Sequence, residues 1–174
     1  MRGLNHKTRV ISFGCRLNYY ESSVIRHNAD LSGSQDVVVV NTCAVTAEAE
    51  RQARQAIRRA RRELPRSKIV VTGCAAQIAP EAYHGMAEVD AVVGNREKLS
   101  TELFKVNKGT VDVGNIMEEG EIGPELCGQT DNRARAFVQI QMGCNHRCTF
   151  CISPMDVAIA KACQRIKSSG KLSL

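Results

Sequence analysis

The chain has 174 residues, of which 43% are hydrophobic and 4% aromatic, with a formal net charge of +6 and eight cysteines. This length allows one ordinary domain and part of a second. Scarce aromatic residues argue against a stacking platform for single-stranded nucleic acid, and no apolar run approaches the ~20 residues that span a bilayer. No signal peptide is recognisable, so we expect a cytoplasmic chain with metal-binding or redox-active cysteines rather than disulfides.

From residue 8 to residue 106 the predicted elements alternate between strands and helices. Strands are predicted at 8–14, 36–40, 68–72 and 90–94. Helices are predicted at about 19–31, 47–64 after the N-cap Thr46, 79–87, and 96–106 after the N-cap Asn95. This alternation is typical of βαβ units and predicts an α/β fold, a parallel sheet with helices on both faces.

The remainder of the chain has a different character. Residues 107–132 are rich in glycine and acidic in their middle, which indicates a linker. A strand predicted at 135–141 leads into a compact cysteine loop, and residues 155–174 could form one short amphipathic helix with a polar tail. We therefore expect a first domain at 7–108, a linker at 109–132 and the start of a second domain at 133–174.

Three cysteines follow three of the predicted strands. Cys15, Cys43 and Cys74 are separated by 28 and 31 residues, close to the ~30 residues of one βαβ unit. Parallel strands end on the same side of a sheet, where such folds bind ligands, so these cysteines should meet there. Three thiolates can hold a [4Fe–4S] cluster and leave one iron open to an outside ligand.

Two other interpretations of these cysteines stay open at this point. They could be buried structural residues, since unpaired cysteine is commonly buried. A single catalytic cysteine is a further alternative, although no histidine accompanies any of the three at helical or loop spacing.

The compact loop has the spacing C-x3-C-x2-C, at Cys144, Cys148 and Cys151. Three cysteines so close together can converge on one iron–sulfur cluster, whose unligated iron could bind S-adenosylmethionine. Zinc is the competing metal, and it would need a fourth ligand such as His146 or Cys163.

Five segments, taken as a set, resemble the radical S-adenosylmethionine tRNA methylthiotransferases. They are FGCRLNYYES (13–22), VVNTCAVTAEAERQARQAIRR (39–59), VVTGCAAQ (70–77), VGNREKL (93–99) and FVQIQMGCNHRCTFCISP (137–154). The resemblance covers about residues 7–154. The segments GCRLN and NTCAVT are similar to the MtaB-like branch, which modifies N6-threonylcarbamoyladenosine at position 37 of tRNA.

The resemblance implies a role for six of the cysteines and a substrate. An auxiliary [4Fe–4S] cluster that carries or donates sulfur would be held by Cys15, Cys43 and Cys74, and the radical [4Fe–4S] cluster by Cys144, Cys148 and Cys151. One S-adenosylmethionine would supply a methyl group and another the radical that attacks C2 of the adenine, giving a 2-methylthio group. Cys127 and Cys163 match no ligand position of the family and are interpreted as ordinary thiols.

The predicted helix at 47–64 carries six arginines within residues 51–62. Arg51, Arg54, Arg58 and Arg62 recur at spacings that place them on one face. An opposing apolar stripe contains Ala49, Ala53, Ile57, Ala60 and Leu64. The arginine face could contact tRNA phosphates or simply be the solvated face of a helix that covers the sheet.

The chain departs from the family pattern after Pro154, where relatives continue into a β/α barrel that one predicted strand cannot supply. We therefore expect a truncated chain with doubtful turnover of its own, and an unpaired edge on the strand at 135–141. A non-catalytic iron–sulfur or zinc-binding module is the main alternative. A nucleotide-binding domain is a weaker one, because the first turn, at residues 14–16, lacks the G-x-G-x-x-G pattern.

Overall fold

The computed structural model describes residues 7–116, 141–146, 148–152 and 161–162. The strands are β1 (Arg9–Ser12), β2 (Val37–Thr42), β3 (Lys68–Gly73), β4 (Ala91–Val93), β5 (Thr110–Asp112), β6 (Gln141–Met142) and β7 (Lys161–Ala162). The α-helices are α1 (Arg16–Ser32), α2 (Ala47–Glu63), α3 (Cys74–Ile78) and α4 (Pro80–His84), and two 3₁₀ helices span Glu97–Leu99 and Thr101–Phe104.

Strands β1 to β5 form one parallel sheet in the order of the sequence. The register aligns the carboxyl ends of the first three strands, because Ser12 lies opposite Asn41 and Asn41 lies opposite Thr72. The predicted α/β class, with a parallel sheet and helices on both faces, is confirmed. The turns that follow these three strands therefore begin side by side at the same edge of the sheet.

The valines of β2 alternate between two apolar cores, one on each face of the sheet. Val38 and Val40 belong to the core that contains α2, α3 and α4. Val37 and Val39 belong to the core that contains α1 and the second 3₁₀ helix. The β1–α1–β2 and β2–α2–β3 connections move in the same direction across the sheet. Because α1 and α2 cover opposite faces of the sheet, the two crossover connections have opposite handedness.

Helix α2 matches its prediction closely. Thr46 is the N-cap, and its side chain accepts a hydrogen bond from the Ala49 N–H at 3.2 Å. The stripe of Ala53, Ile57 and Ala60 is fully buried against the sheet. The other face of the helix, which carries most of the arginines, is left to solvent.

Two helix boundaries near cysteines differ from the prediction. Helix α1 begins at Arg16 rather than residue 19, with Cys15 as its N-cap. The helix predicted at 79–87 corresponds to the shorter α4, and an additional helix, α3, begins directly at Cys74. Both cysteines therefore lie at helix starts as well as strand ends.

The helix predicted at 96–106 is wrong, and two 3₁₀ helices take its place. Ser100 is extended (φ −88°, ψ 153°) and caps the second of them, with its hydroxyl accepting from the Glu102 N–H at 3.2 Å. Asn95 is not an N-cap, because its side-chain oxygen accepts a hydrogen bond from Lys98 Nζ at 2.7 Å. Lys98 also donates to Glu21 at 2.5 Å in a fully buried ion pair, so tertiary contacts override local helix propensity.

The predicted linker contains a fifth strand. Thr110–Asp112 pairs in parallel with β4, and the Gly94 N–H donates to the Asp112 carbonyl at 2.8 Å. Ile116 is also buried. Residues 110–112, which the prediction places in the linker, therefore form a strand of the sheet, while 117–132 lie outside the described residues.

Strands β6 and β7 pair antiparallel, with Gln141 opposite Ala162 and Met142 opposite Lys161. The strand predicted at 135–141 therefore has a partner at residue 141, where an unpaired edge was expected. The helix predicted over 155–174 is wrong at residues 161–162. The other residues of both predictions lie outside the described ranges.

Asp90 ties the beginning of β4 to β3 and α2. Its carboxylate accepts hydrogen bonds from the Ile69 N–H at 2.8 Å and from Arg61, and Lys108 Nζ lies 3.2 Å away. Burial alone would raise the pKa of this carboxyl. The Ile69 and Arg61 hydrogen bonds outweigh burial and lower the pKa below its ordinary value.

Asp90→Asn should lower the free energy of unfolding at neutral pH by about 1–3 kcal/mol, because hydrogen bonds to a charged group are lost. A lowered folded-state pKa contributes stability above the ordinary value of about 3.9, and that stability is lost as the pH falls through the folded pKa. Denaturant unfolding from pH 7 to pH 3 should therefore show the two proteins converging in acid. Asp30→Asn, at an exposed pair with Lys7, is the control and should change little. A constant difference between wild type and Asp90→Asn at all pH values would contradict this account.

A cysteine-lined sheet edge as candidate metal centre

The structure places three of the predicted site cysteines at the carboxyl edge of the sheet, beyond β1, β2 and β3. Cys15 lies between β1 and α1 and is exposed. Cys43 directly follows β2 and is 2% exposed, and Cys74 begins α3 after β3 and is 7% exposed. None of the three forms a disulfide with another described cysteine. One of them is open to solvent and two lie beneath the surface.

Gly14 brings the first cysteine turn against the second. Its φ is +94°, and a Cβ at this position would lie 2.4 Å from both Cβ and Sγ of Cys43. Gly73, with φ +98°, plays the same part at the third turn, where a Cβ would lie 2.3 Å from the Thr42 carbonyl oxygen. Only glycine fits these positions, so the backbone of each turn packs directly on its neighbour.

Asn18 joins the first two cysteine turns by hydrogen bonds. It is fully buried, and its Nδ2 donates to the Phe13 carbonyl at 2.8 Å and to the Thr42 carbonyl at 2.9 Å. Phe13 immediately precedes the Gly14–Cys15 turn, and Thr42 immediately precedes Cys43. A single amide from α1 therefore holds the ends of β1 and β2 at a defined separation.

Thr42 makes the equivalent connection to the third turn. Its hydroxyl donates to the Thr72 carbonyl at 2.7 Å and accepts from the Ala76 N–H at 3.2 Å. The first bond holds the end of β2 to the end of β3, and the second holds α3, which starts with Cys74. Thr72 continues the series, since its hydroxyl donates to the Gly94 carbonyl at 3.3 Å.

Sequence reasoning did not identify Asn18 and Thr42 as site residues. A signal existed for both, because a polar residue in the first turn of α1 and a threonine ending a run of valines are candidates for buried hydrogen bonds. Their partners are backbone carbonyls of distant strands, which no spacing rule predicts.

One backbone N–H is directed at the sulfur of Cys43. The Val45 N–H donates to its Sγ at 3.4 Å. The positive end of the α1 dipole lies beside it at Cys15. Two buried amide oxygens, Oδ1 of Asn18 and Oδ1 of Asn41, have no hydrogen-bond partner among the described residues and could each accept one.

Within the described residues, no three histidine, cysteine or acidic side chains are grouped so as to hold one metal ion. A single zinc ion would need its ligands to surround one point. A [4Fe–4S] cluster is larger, and each cysteine binds a different iron. Three thiols on neighbouring turns are donors of the kind that iron–sulfur clusters use, because soft thiolates suit such clusters.

The compact loop is the second group of predicted site cysteines. Cys144 is half-buried, while Cys148 and Cys151 are exposed, and the Cys151 N–H donates to the Cys148 carbonyl at 3.0 Å in a turn. Phe150 between them is 94% exposed. His146, a candidate zinc ligand, is also exposed, and Cys127 and Cys163 lie outside the described residues.

Residues 7–94 match the family model described as "Uncharacterized protein family UPF0004". The chain belongs to this family. The match covers β1 to β4 and all three edge cysteines, and it begins at the residue where the first domain was expected to begin. It leaves β5 and the compact loop outside.

Curated relatives extend the similarity over most of the chain. It is 49% identical over 150 residues to the threonylcarbamoyladenosine tRNA methylthiotransferase MtaB of Rickettsia prowazekii, covering 86% of this chain and 36% of that protein. It is 35% identical over 163 residues to the protein of the same name from Aquifex aeolicus, covering 85% and 39%. A tRNA-2-methylthio-N(6)-dimethylallyladenosine synthase of Pelotomaculum thermopropionicum is 33% identical over 171 residues, covering 85% and 37%.

These comparisons confirm the resemblance to tRNA methylthiotransferases. The chain spans between 36% and 39% of the length of these relatives. In the part of the chain that the structure describes, no helix is both long and apolar enough to cross a membrane.

Asn18→Ala should expose the Cys43 thiol, because the ends of β1 and β2 lose the amide that joins them. We expect destabilisation by about 1–3 kcal/mol, since one buried and one partly buried carbonyl lose a donor. We also expect clearly faster iodoacetamide labelling of Cys43, followed by peptide mass spectrometry. Asn28→Ala is the matched control, because this buried amide of α1 donates instead to the Leu99 carbonyl at 2.7 Å. Equal rates of Cys43 labelling in both variants would show that Asn18 does not specifically restrict access to Cys43.

Proposed function

We propose that the chain is the cluster-binding N-terminal part of a tRNA methylthiotransferase that adds a 2-methylthio group to N6-threonylcarbamoyladenosine at position 37 of tRNA. The observation that carries the proposal is the meeting of three cysteine turns at one sheet edge in a chain 49% identical to a protein of that named activity. The similarity to relatives named MtaB supports the threonylcarbamoyladenosine substrate.

The six described cysteines divide into two ligand sets in this proposal. Cys15, Cys43 and Cys74 hold one [4Fe–4S] cluster, and Cys144, Cys148 and Cys151 hold a second that also binds S-adenosylmethionine. When bound, these groups supply the sulfur transfer and radical chemistry of the reaction. The six described cysteines form no disulfide with one another, which fits a reducing cytoplasm, where tRNA is also found.

This chain's own residues supply the geometry of the first site. Asn18 and Thr42 set the spacing between the three strand ends. Gly14 and Gly73 let the turns approach each other closely enough to share one cluster. The chain spans a little over a third of its relatives, so we assign to it the holding of clusters and the reductive cleavage of S-adenosylmethionine, and we assign methylthiolation of the tRNA to the whole enzyme.

Iron and acid-labile sulfide counts on anaerobically reconstituted protein test the proposal. Wild type should hold about eight irons per chain and the Cys144→Ala/Cys148→Ala/Cys151→Ala variant about four, because one of two [4Fe–4S] clusters is lost. Incubation with S-adenosylmethionine and a reductant should release 5′-deoxyadenosine from wild type only.

Three results would separate the alternatives. Zinc without sulfide would overturn the iron–sulfur assignment and favour a zinc-binding module. About four irons in both proteins would restrict the chain to the sheet-edge cluster. Eight irons without cleavage of S-adenosylmethionine would indicate an iron–sulfur module that does not carry out the radical step.

A further inference from the structure

The six arginines of α2 are not equivalent, because four of them are neutralised by acidic partners. Arg51 pairs with Glu48 at 2.6 Å and Arg54 with Glu50 at 3.3 Å. The other two pairs are Arg59 with Glu63 at 2.5 Å and Arg61 with Asp90. Arg54 also lies over the Tyr83 ring, 5.7 Å from its centre. These side chains are occupied in stabilising the helix and its attachment to the sheet.

Arg58 and Arg62 are the exceptions. Neither forms an ion pair or hydrogen bond among the described residues, and both are exposed. They stand four positions apart, one helical turn, so their guanidinium groups share a face. The free positive charge of α2 is therefore concentrated at these two residues.

Both unpaired arginines line one open groove of about 560 Å³. The groove is lined by Phe13, Gln52, Gln55, Ala56, Arg58, Arg59 and Arg62. Three of these residues are cationic, two are amides and none is acidic. Glu63 already holds Arg59 and Glu48 already holds the Gln52 amide, so Arg58 and Arg62 are the cationic donors that the lining offers to an anion.

The groove also reaches the cysteine edge. Phe13 lines it and is the residue before the Gly14–Cys15 turn, so a chain lying in the groove passes beside the first of the three edge cysteines. An extended polyanion that follows α2 would run from Arg62, near the end of the helix, towards that turn.

We infer that this groove binds the phosphate backbone of the tRNA substrate, with Arg58 and Arg62 as the two phosphate contacts. The inference rests on the proposed function for the identity of the RNA, and it adds the surface and the residues. RNA is the occupant that the lining favours, because guanidinium groups bind phosphate through paired donors and are weakly hydrated. The other arginines of α2 contribute little, since an acidic partner already holds each of them.

Binding of an unmodified tRNA transcript to the 174-residue chain, measured by filter retention between about 50 and 200 mM salt, tests the inference. Each phosphate contact contributes about 0.7–0.9 to the slope of log K against log salt concentration. Arg58→Gln/Arg62→Gln should therefore lower the slope by about 1.4–1.8. Arg58→Lys/Arg62→Lys should keep most of the wild-type slope, because charge is retained.

Arg51→Gln/Lys105→Gln is the matched control, since it removes the same net charge from two exposed but paired cations. It should leave the slope within about 0.5 of wild type. Thermal melting should show all variants folded, because these are exposed positions and glutamine is a good helix former. Equal losses in the groove variant and the control would mean that only net charge matters, and this would overturn the inference.

An unchanged slope in Arg58→Gln/Arg62→Gln would also overturn it, and so would a failure of wild type to retain tRNA. None of these results affects the iron and sulfide counts or the cleavage of S-adenosylmethionine. Failure of the groove assignment is therefore distinguishable from failure of the proposed function.

Discussion

The structure depends on how the carboxyl ends of three parallel strands are held together once the ladder of strand hydrogen bonds ends. The last carbonyls of such strands need donors, because an unpaired buried carbonyl is costly. Asn18 supplies donors to the ends of β1 and β2, and Thr42 supplies one to the end of β3. The same contacts fix the turns that carry Cys15, Cys43 and Cys74. The hydrogen bonds that satisfy the strand-end carbonyls therefore also position the three thiols.

The two faces of the sheet contribute differently to this arrangement. Helix α1 starts at Cys15, supplies Asn18, and is anchored by the buried Glu21–Lys98 pair. On the other face, α2 starts just after Cys43, and most of its arginines form ion pairs with acidic side chains. The unpaired charge lies beside the groove that leads to the same edge. The proposed cluster ligands and the proposed polyanion surface are thus carried by adjacent elements.

Much of this organisation could be predicted from local sequence pattern. The valine runs of β2 and β3 indicate buried parallel strands, and the spacing of the three cysteines matches the βαβ repeat, so their placement at one edge followed. The failures have a common physical origin in distant contacts. The helix expected at 96–106 is interrupted where Lys98 reaches Glu21, 77 positions away, and β5 is short and recognisable only by its pairing with β4. The roles of Asn18 and Thr42 could not be predicted, because their hydrogen-bond partners are backbone carbonyls of other strands.

The most direct test of the central claim is whether Cys15, Cys43 and Cys74 serve one cluster. In a Cys144→Ala/Cys148→Ala/Cys151→Ala background, each edge cysteine can be changed singly to alanine, with Cys127→Ala as the control, and iron and sulfide counted after anaerobic reconstitution. We predict about four irons for the background and the control, and less than about half of that for each of the three edge variants. Retention of the full iron and sulfide content after loss of any one edge cysteine would contradict the account.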